Sequence, residues 1–297
     1  MWQKQDEDVR SDDEVQRAVM SQFLGIVPER GKELEQLWSD NNLLFSLLAD
    51  GNEIRMEGGL YRHVRFNHRT LRVLWVASFA AWEAYRALVI AIESGRTPAF
   101  TRLNELLDCA VSIRDSATPI NVPLPQGIPE PGSFVDGATF PELRAASELA
   151  VFVSGWAMLH EVRHVLHQRE GTSTSEDDEP SKRREEELSC DAFATKFIMD
   201  KIDQYASTTG QNFASVALKR KIGIFFAMLT LAVLSKDRWE ETDNHPSMQA
   251  RMNAAYEAMY PTDDVDEAFA IAACAFGSLK MLWSGTPTFQ RLTRPIS

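Results

Sequence analysis

The sequence is poor in cysteine and in basic residues, and each shortage excludes a class of protein. It has three cysteines, Cys109, Cys190 and Cys274, which are odd in number, widely spaced and without a CxxC pair. This pattern is not a disulfide framework and is typical of a reduced compartment. Lysine and arginine number 31 against 43 aspartates and glutamates, so the formal net charge is -12. An acidic chain without a basic stripe repels phosphate backbones, and we therefore expect no nucleic-acid partner.

A long apolar run is also missing. The longest run, 222–234, has 13 residues, whereas a membrane-spanning helix needs about 20. The first 15 residues are acidic and polar, unlike the basic start and apolar stretch of a secretory signal. We therefore expect a cytoplasmic protein with no membrane partner, and we interpret the run 222–234 as a buried core helix.

Periodicity and turn residues predict a mainly α (α+β) fold with a small N-terminal antiparallel β-sheet or hairpin. Apolar and polar positions alternate over residues 53–66, on both sides of Gly58 and Gly59, and this alternation predicts the hairpin. Helical patterns are expected over about 70–94, 101–114, 142–170, from 184 onwards, 212–236, 247–259 and 263–283.

The stretch "HEVRH" at 160–164 carries the strongest chemical signal. Helix positions four apart project from one face, so His160 and His164 can reach a single cation. Glu161 directly follows the first histidine and would stand beside a water that the cation activates. Two ligands and a carboxylate base form the metallopeptidase arrangement. A surface helix with two solvated histidines is the alternative interpretation.

A catalytic zinc needs a third protein ligand, and three residues qualify by position. His167 returns to nearly the same helix face, and Glu170 lies where longer histidine motifs place a ligand, although their turn glycine is missing. Glu187 lies in "EEELSCDAF", four residues before Asp191. We favour Glu187 as the ligand, Asp191 as the acceptor for a ligating imidazole N–H, and His167 as an exposed bystander. The alternative is an acidic first turn that only favours the helix dipole.

A third group of polar residues lies in "DNHPSMQARM" at 243–252. If this segment folds back over the metal, His245 and Arg251 would polarise a substrate carbonyl or hold peptide backbone. The equally supported alternative is a helix start capped by Asn244 or Ser247, with Arg251 in a structural ion pair.

Three blocks stand in the order used by zinc peptidases of the HExxH–glutamate (gluzincin-like) type: "HEVRH", "ELSCD" at 187–191, and "NHP" at 244–246 with Arg251 soon after. More narrowly, they resemble the Lit phage-exclusion peptidase family of bacteria, over roughly residues 50–260. One departure is Ser189, where the family pattern has an acidic residue, and it leaves the metal set intact.

The resemblance implies a helical zincin-like metallopeptidase domain that holds Zn²⁺. It also implies an intracellular endopeptidase of antiviral defence. In that family the substrate is translation elongation factor Tu and the activator is a phage peptide. The residues carried over are the zinc ligands His160, His164 and Glu187, the catalytic base Glu161, the aspartate Asp191 beside the ligands, and His245 and Arg251 near the bound substrate.

Two other functions remain open. Cys190, three residues after Glu187, is near enough along the helix to be a fourth ligand. The zinc site would then be closed, and the chain would be a non-catalytic, zinc-stabilised binding protein. A deep closed pocket would instead favour a metal-dependent hydrolase of a small amide, whereas a roomy cleft would favour a protein substrate.

For the domain organisation we expect a flexible acidic arm over residues 1–20 and a single metallopeptidase domain over residues 21–297. Thr139 and Glu142 resemble a capping box at the start of the motif-bearing helix. The proline-rich loop 117–141 and the acidic linker 171–183 are expected to gate the site. The predicted parts are the N-terminal hairpin and helices over 40–115, the proline-rich loop over 117–141, the catalytic helices over 142–260 and the C-terminal helix over 263–283.

Overall fold

A computed structural model describes residues 11–51, 53–131, 133, 135–236, 238–259 and 267–288. The predicted mainly α fold with a small N-terminal β region is confirmed. The elements follow in the order α1 (Asp12–Gly25), α2 (Gly31–Asp40), β1 (Leu44–Leu48), β2 (Met56–Gly59), β3 (His63–Asn67), α3 (His68–Ser94), α4 (Thr101–Asp115), α5 (Pro141–Glu170), α6 (Pro180–Met199), α7 (Ile202–Thr209), α8 (Phe213–Leu234), α9 (Met248–Met259) and α10 (Glu267–Leu282).

The described part of the predicted acidic arm is a helix. Ser11 and Glu14 form a capping box, in which each side chain accepts a hydrogen bond from the other residue's backbone N–H. Val19 and Phe23 are buried and hold α1 against the core. The range predicted as an arm therefore includes the start of a helix, because acidic side chains in a first turn favour a helix start. The flexibility of residues 1–20 stays a prediction. Residues 1–10 lie outside the described residues.

The sheet has the strand order β1-β3-β2. Strands β2 and β3 form the predicted antiparallel hairpin, whereas β1, which the sequence pattern did not indicate, pairs with β3 in parallel. The hairpin turns at Leu60 and Tyr61, whose φ angles are 50° and 61°, and not at the two glycines. Gly58 lies inside β2 at a point where an added Cβ would overlap the backbone carbonyl of Glu161 in α5. The glycine therefore permits β2 to lie directly on the helix that carries the histidine motif.

Helix α3 is the central helix of the core. Over the described residues it is the one helix whose length and hydropathy would suffice to cross a membrane. Its residues 69–81 are all buried, and the helix packs against α4, α5, α8 and α10. The predicted core run 222–234 lies in α8, where residues 223–230 are buried. Both apolar stretches are therefore packed inside the protein.

The motif-bearing helix α5 begins without the predicted capping box. Its N-terminal cap is Phe140, which makes no side-chain cap, and the Thr139 hydroxyl donates to Asp136 instead of capping the helix. Pro141 fills the first turn, where a missing N–H costs nothing. Helix α5 ends at Gly171 in the left-handed conformation, and α6 then packs along it. This packing sets "HEVRH" opposite the acidic run of α6.

Candidate active site

His160 and His164 lie one turn apart on α5, and their Nε2 atoms are 3.3 Å from each other. Each Nδ1 atom meets a carboxylate of α6. The Nδ1 of His160 is 2.8 Å from Asp191 Oδ1, and the Nδ1 of His164 is 2.8 Å from Glu186 Oε1. Because a carboxylate accepts, each Nδ1 carries a proton, and the neutral form of each imidazole then presents its lone pair at Nε2. The two lone pairs converge on one point.

The carboxylate of Glu187 lies next to both Nε2 atoms. Its Oε2 is 3.4 Å from the Nε2 of His160, and its Oε1 is 3.3 Å from the Nε2 of His164. Zinc bonds of 2.0–2.1 Å in a tetrahedral site place two donors about 3.3 Å apart. The imidazole and carboxylate donors and their spacing therefore fit a zinc ion. We name His160, His164 and Glu187 the ligand cluster.

The charges around the two imidazoles favour a positive group between them. Burial opposes the charged form of His160, but the contacts with Asp191 and Glu187 outweigh burial and raise its pKa to about 9. Against the same opposition, Cys190 and the two glutamates raise the pKa of His164 well above its usual value. The negative field that raises these pKa values also attracts a cation.

Cys190 is a further donor beside the ligand cluster. Among the described residues, the ligand atoms of His160, His164 and Cys190 all lie within 4.8 Å of one another. The thiol is fully buried and does not line the cleft onto which the ligand cluster opens. Burial raises the pKa of Cys190 to about 11, against the lowering effect of His164. The thiol is therefore buried beside the imidazoles and does not open into the cleft.

Arg251 lies on α9 and forms a two-pronged ion pair with Asp191. Its Nε and one terminal nitrogen donate to the two carboxylate oxygens at 2.8 and 2.6 Å. Burial opposes the charged form of Asp191, but Arg251 outweighs it and lowers the pKa of this carboxyl group. The arrangement favours the structural-pair interpretation of Arg251. The guanidinium orients Asp191, and Asp191 in turn orients the ring of His160.

Glu186 was missed by the sequence analysis, which treated it as one of an acidic run. Its Oε1 accepts from the Nδ1 of His164, and its Oε2 accepts from the backbone N–H and the hydroxyl of Thr174 at 2.5 and 2.7 Å. Burial opposes ionisation, but these hydrogen bonds lower the pKa of Glu186 to about 2. Its position in the sequence provided no separate signal, because adjacent residues of a helix point in different directions and only the packing of α6 on α5 brings Glu186 to His164.

Glu161, the predicted base, is half-buried and lines the cleft. Its Oε2 accepts a hydrogen bond of 2.6 Å from the backbone N–H of Gly58 in β2. Burial raises the pKa of Glu161, and His160 and His164 partly oppose this effect. The strand thus fixes one oxygen of the carboxylate beside the ligand cluster.

His245 lies in the segment between α8 and α9, which folds back towards the ligand cluster. Its Nδ1 is 3.6 Å from Glu187 Oε2, and 61% of its side chain is exposed. It also lines the cleft. His245 is therefore available to a molecule that enters the cleft.

Two other sequence candidates lie outside the ligand cluster. His167 is buried, and not exposed as predicted, because its two ring nitrogens meet the hydroxyl groups of Thr172 at 2.8 Å and Ser189 at 3.1 Å. Glu170 is exposed and accepts from Arg163 at 2.9 Å. Ser189, the position that departs from the family pattern, therefore pairs with the third histidine of α5.

The ligand cluster opens into a cleft of about 560 Å³, a size typical of ligand-binding clefts. Strand β2, helix α5, the end of α8 and the segment before α9 form its walls, with apolar and charged side chains side by side. Besides the residues already described, the lining includes Ile54, Met56, Glu57, Leu74, Trp156, Leu231, Leu234, Arg238, Glu240, Thr242 and Met248.

The proline-rich loop, residues 117–141, packs against α3 outside the cleft. Trp75 donates from its indole nitrogen to the carbonyl of Pro129 at 2.7 Å, and Arg72 pairs with Glu130 at 3.3 Å. No described residue of 117–141 or of 171–183 lines the cleft. Neither segment is therefore placed as a lid over the ligand cluster.

Comparisons with known proteins identify the family of the chain. The family model described as Peptidase U49 matches residues 64–273, a range that contains the ligand cluster, Glu161, His245 and Arg251. The chain is 25% identical to the Cell death peptidase of Escherichia coli (strain K12) over 254 residues, which cover 82% of this chain and 77% of that protein. No solved structure matches. With the larger part of its length matched, the chain belongs to the Peptidase U49 family.

Proposed function

We propose that the protein is a zinc-dependent intracellular endopeptidase that cleaves a peptide bond of a host protein. Family membership supports peptidase activity. The observation that carries the metal part of the proposal is the ligand cluster, whose three groups are 3.3–3.4 Å apart and open into the cleft. The scarcity of cysteine supports a reduced compartment.

In this mechanism His160, His164 and Glu187 would hold the zinc. The bound metal would supply Lewis-acid chemistry, which lowers the pKa of a water towards about 7 and polarises the scissile carbonyl. Glu161 takes a proton from the attacking water while the water oxygen bonds to the carbonyl carbon. As the carbon–nitrogen bond breaks, Glu161 delivers that proton to the leaving amine. Gly58 holds one Glu161 oxygen at 2.6 Å, which leaves the other oxygen for this transfer.

His245 and Arg251 have different parts in the proposed mechanism. His245 is exposed at the cleft, 3.6 Å from Glu187, and from there it can donate to the developing negative charge on the carbonyl oxygen. Arg251 donates hydrogen bonds to both carboxylate oxygens of Asp191. We therefore assign Arg251 to orienting His160 and not to binding peptide.

Strand β2 supports an extended peptide as the substrate. Among the described strands it is an edge strand, since the order is β1-β3-β2. The amide of Asn67 donates to the carbonyl of Arg55, and the register then turns the backbone groups of Met56 and Gly58 away from β3. Met56 and Gly58 line the cleft. Because the N–H of Gly58 donates to Glu161, an extended chain can add to this edge through the N–H and carbonyl of Met56 and the carbonyl of Gly58.

The target and the trigger are proposed from the family resemblance alone. The similar protein is named a cell death peptidase. We propose host elongation factor Tu as the substrate, a phage peptide as the activator, and phage exclusion as the outcome.

One alternative function is favoured by a specific observation. The thiol of Cys190 lies within 4.8 Å of nitrogens of both His160 and His164. If it were a fourth ligand, the site would be closed, and the protein would be a zinc-stabilised binding protein. The two functions differ in whether the metal requires Glu187 or Cys190.

Mapping of new protein N-termini in cells tests the proposed function. We expect bacteria that express the wild-type chain, with or without phage infection, to contain new N-termini that are missing with Glu161→Gln. Their absence under both conditions would overturn the endopeptidase assignment. An N-terminus within elongation factor Tu would support that substrate. Glu161-dependent cleavage of other proteins alone would exclude elongation factor Tu and keep the activity.

A further inference from the structure

The loop between α5 and α6, residues 171–179, reaches back to the ligand cluster; we name it the α5–α6 loop. Through Thr174 it donates two hydrogen bonds to Glu186 Oε2, one from the backbone N–H and one from the hydroxyl, at 2.5 and 2.7 Å. The other oxygen of Glu186 accepts from the Nδ1 of His164 at 2.8 Å. A continuous chain of hydrogen bonds thus connects a surface loop with a proposed zinc ligand.

The two histidines of the ligand cluster are supported in different ways. His160 is oriented by Asp191, which a buried arginine from α9 holds with two hydrogen bonds. His164 is oriented by Glu186, which Thr174 holds from the loop. The first support lies between packed helices. The second depends on the conformation of nine connecting residues, 171–179.

The α5–α6 loop is shaped mostly by local hydrogen bonds. The amides of Thr172 and Ser173 donate to the carbonyl of His167 at 2.9 and 3.1 Å. The amide and the hydroxyl of Ser175 donate to Asp178. Thr174 and Asp178 are half-buried, whereas the other residues of 171–179 are exposed. A segment whose residues are mostly exposed opens at low free-energy cost, and the contact of Thr174 with Glu186 therefore contributes to its order.

We propose that Thr174 is a positioning residue for His164 and that the order of the α5–α6 loop is coupled to zinc binding. The proposal rests on the proposed zinc site. Groups that hold a ligating imidazole through its second nitrogen typically account for 10–100-fold in metal affinity. Without the Thr174 hydroxyl, the Oε2 atom of Glu186 loses one of its two donors, and Glu186 holds the ring of His164 less firmly. Coupling is reciprocal, so zinc must order the loop by the same factor by which the loop favours zinc.

Zinc affinity in Thr174 variants tests the first half of this proposal. Thr174→Val keeps the side-chain shape and the backbone N–H but removes the hydroxyl, and we expect it to weaken zinc binding about 10-fold in chelator competition. Thr174→Ser restores a hydroxyl and should bind zinc like the wild type. The control is Thr208→Val, which removes a hydroxyl that donates to the carbonyl of Gln204 within α7. Wild-type affinity in Thr174→Val would overturn the proposal.

Hydrogen exchange of the full-length protein tests the second half. We expect zinc to slow amide exchange over residues 172–175 in the wild type, and to do so less in Thr174→Val. Zinc binding that leaves this exchange unchanged would overturn the coupling and leave the proposed function intact. A wild-type protein that binds no zinc would overturn both.

Discussion

Replacing Glu161 with glutamine is expected to lower the cleavage rate by about 10²–10⁴-fold, the usual contribution of a general base. The amide has the shape of the carboxylate, and its oxygen can still accept from the N–H of Gly58, but it cannot take a proton at neutral pH. The metal content should stay that of the wild type, because Glu161 is not in the ligand cluster. Cleavage of a peptide that spans a site mapped in cells measures the rate.

The matched control for this prediction is Glu170→Gln on the same helix. Glu170 is exposed and pairs with Arg163, so the Glu170→Gln variant should cleave the peptide at the wild-type rate. If Glu161→Gln cleaves as fast as Glu170→Gln, Glu161 is not the base.

Alanine at Gly58 is expected to reduce both stability and activity, while alanine at Gly59 should change little. A Cβ at Gly58 would overlap the backbone carbonyl of Glu161, whereas one at Gly59 would meet only the side chain of Gln168 at 3.7 Å. In the Gly58→Ala variant, strand β2 must therefore move away from α5, and the hydrogen bond between the Gly58 N–H and Glu161 breaks. Overpacking of this kind costs about 1–3 kcal/mol of unfolding free energy, and a displaced base costs about 10²-fold in rate.

Both substitutions are Gly→Ala in one strand, so both restrict the backbone in the same way. A difference between the two variants therefore reports the close packing at Gly58. Denaturant unfolding gives the stability, and cleavage of the mapped peptide gives the rate. Equal rates and equal stabilities for Gly58→Ala and Gly59→Ala would contradict the proposed contact between β2 and the base.

The sequence indicated the parts of the site that depend on helix geometry. His160 and His164 share a face because they are four residues apart, and Glu187 and Asp191 share a face for the same reason. Both pairs lie within single helices, α5 and α6, where sequence separation fixes direction. The resemblance supplied what geometry within one helix cannot, namely that the two helices face each other.

The parts that were missed depend on contacts between distant segments. The choice between Glu186 and Glu187 as neighbours of a histidine depends on the phase of α6 relative to α5. The partner of Arg251 is 60 residues away in Asp191. The glycines of β2 were interpreted as a turn because their role in packing on α5 depends on a contact across 103 residues. Strand β1 was missed because parallel pairing leaves no short turn signal in the sequence.

The metal content of three purified variants tests the central claim most directly. If His160, His164 and Glu187 hold one zinc, the wild-type protein should contain about one zinc per chain, and Glu187→Ala should lose most of it. His167→Ala and Cys190→Ala should each keep it, since His167 lies outside the ligand cluster and the thiol of Cys190 is buried and does not line the cleft. Zinc that is retained in Glu187→Ala and lost in Cys190→Ala would contradict the account and favour a closed, non-catalytic site.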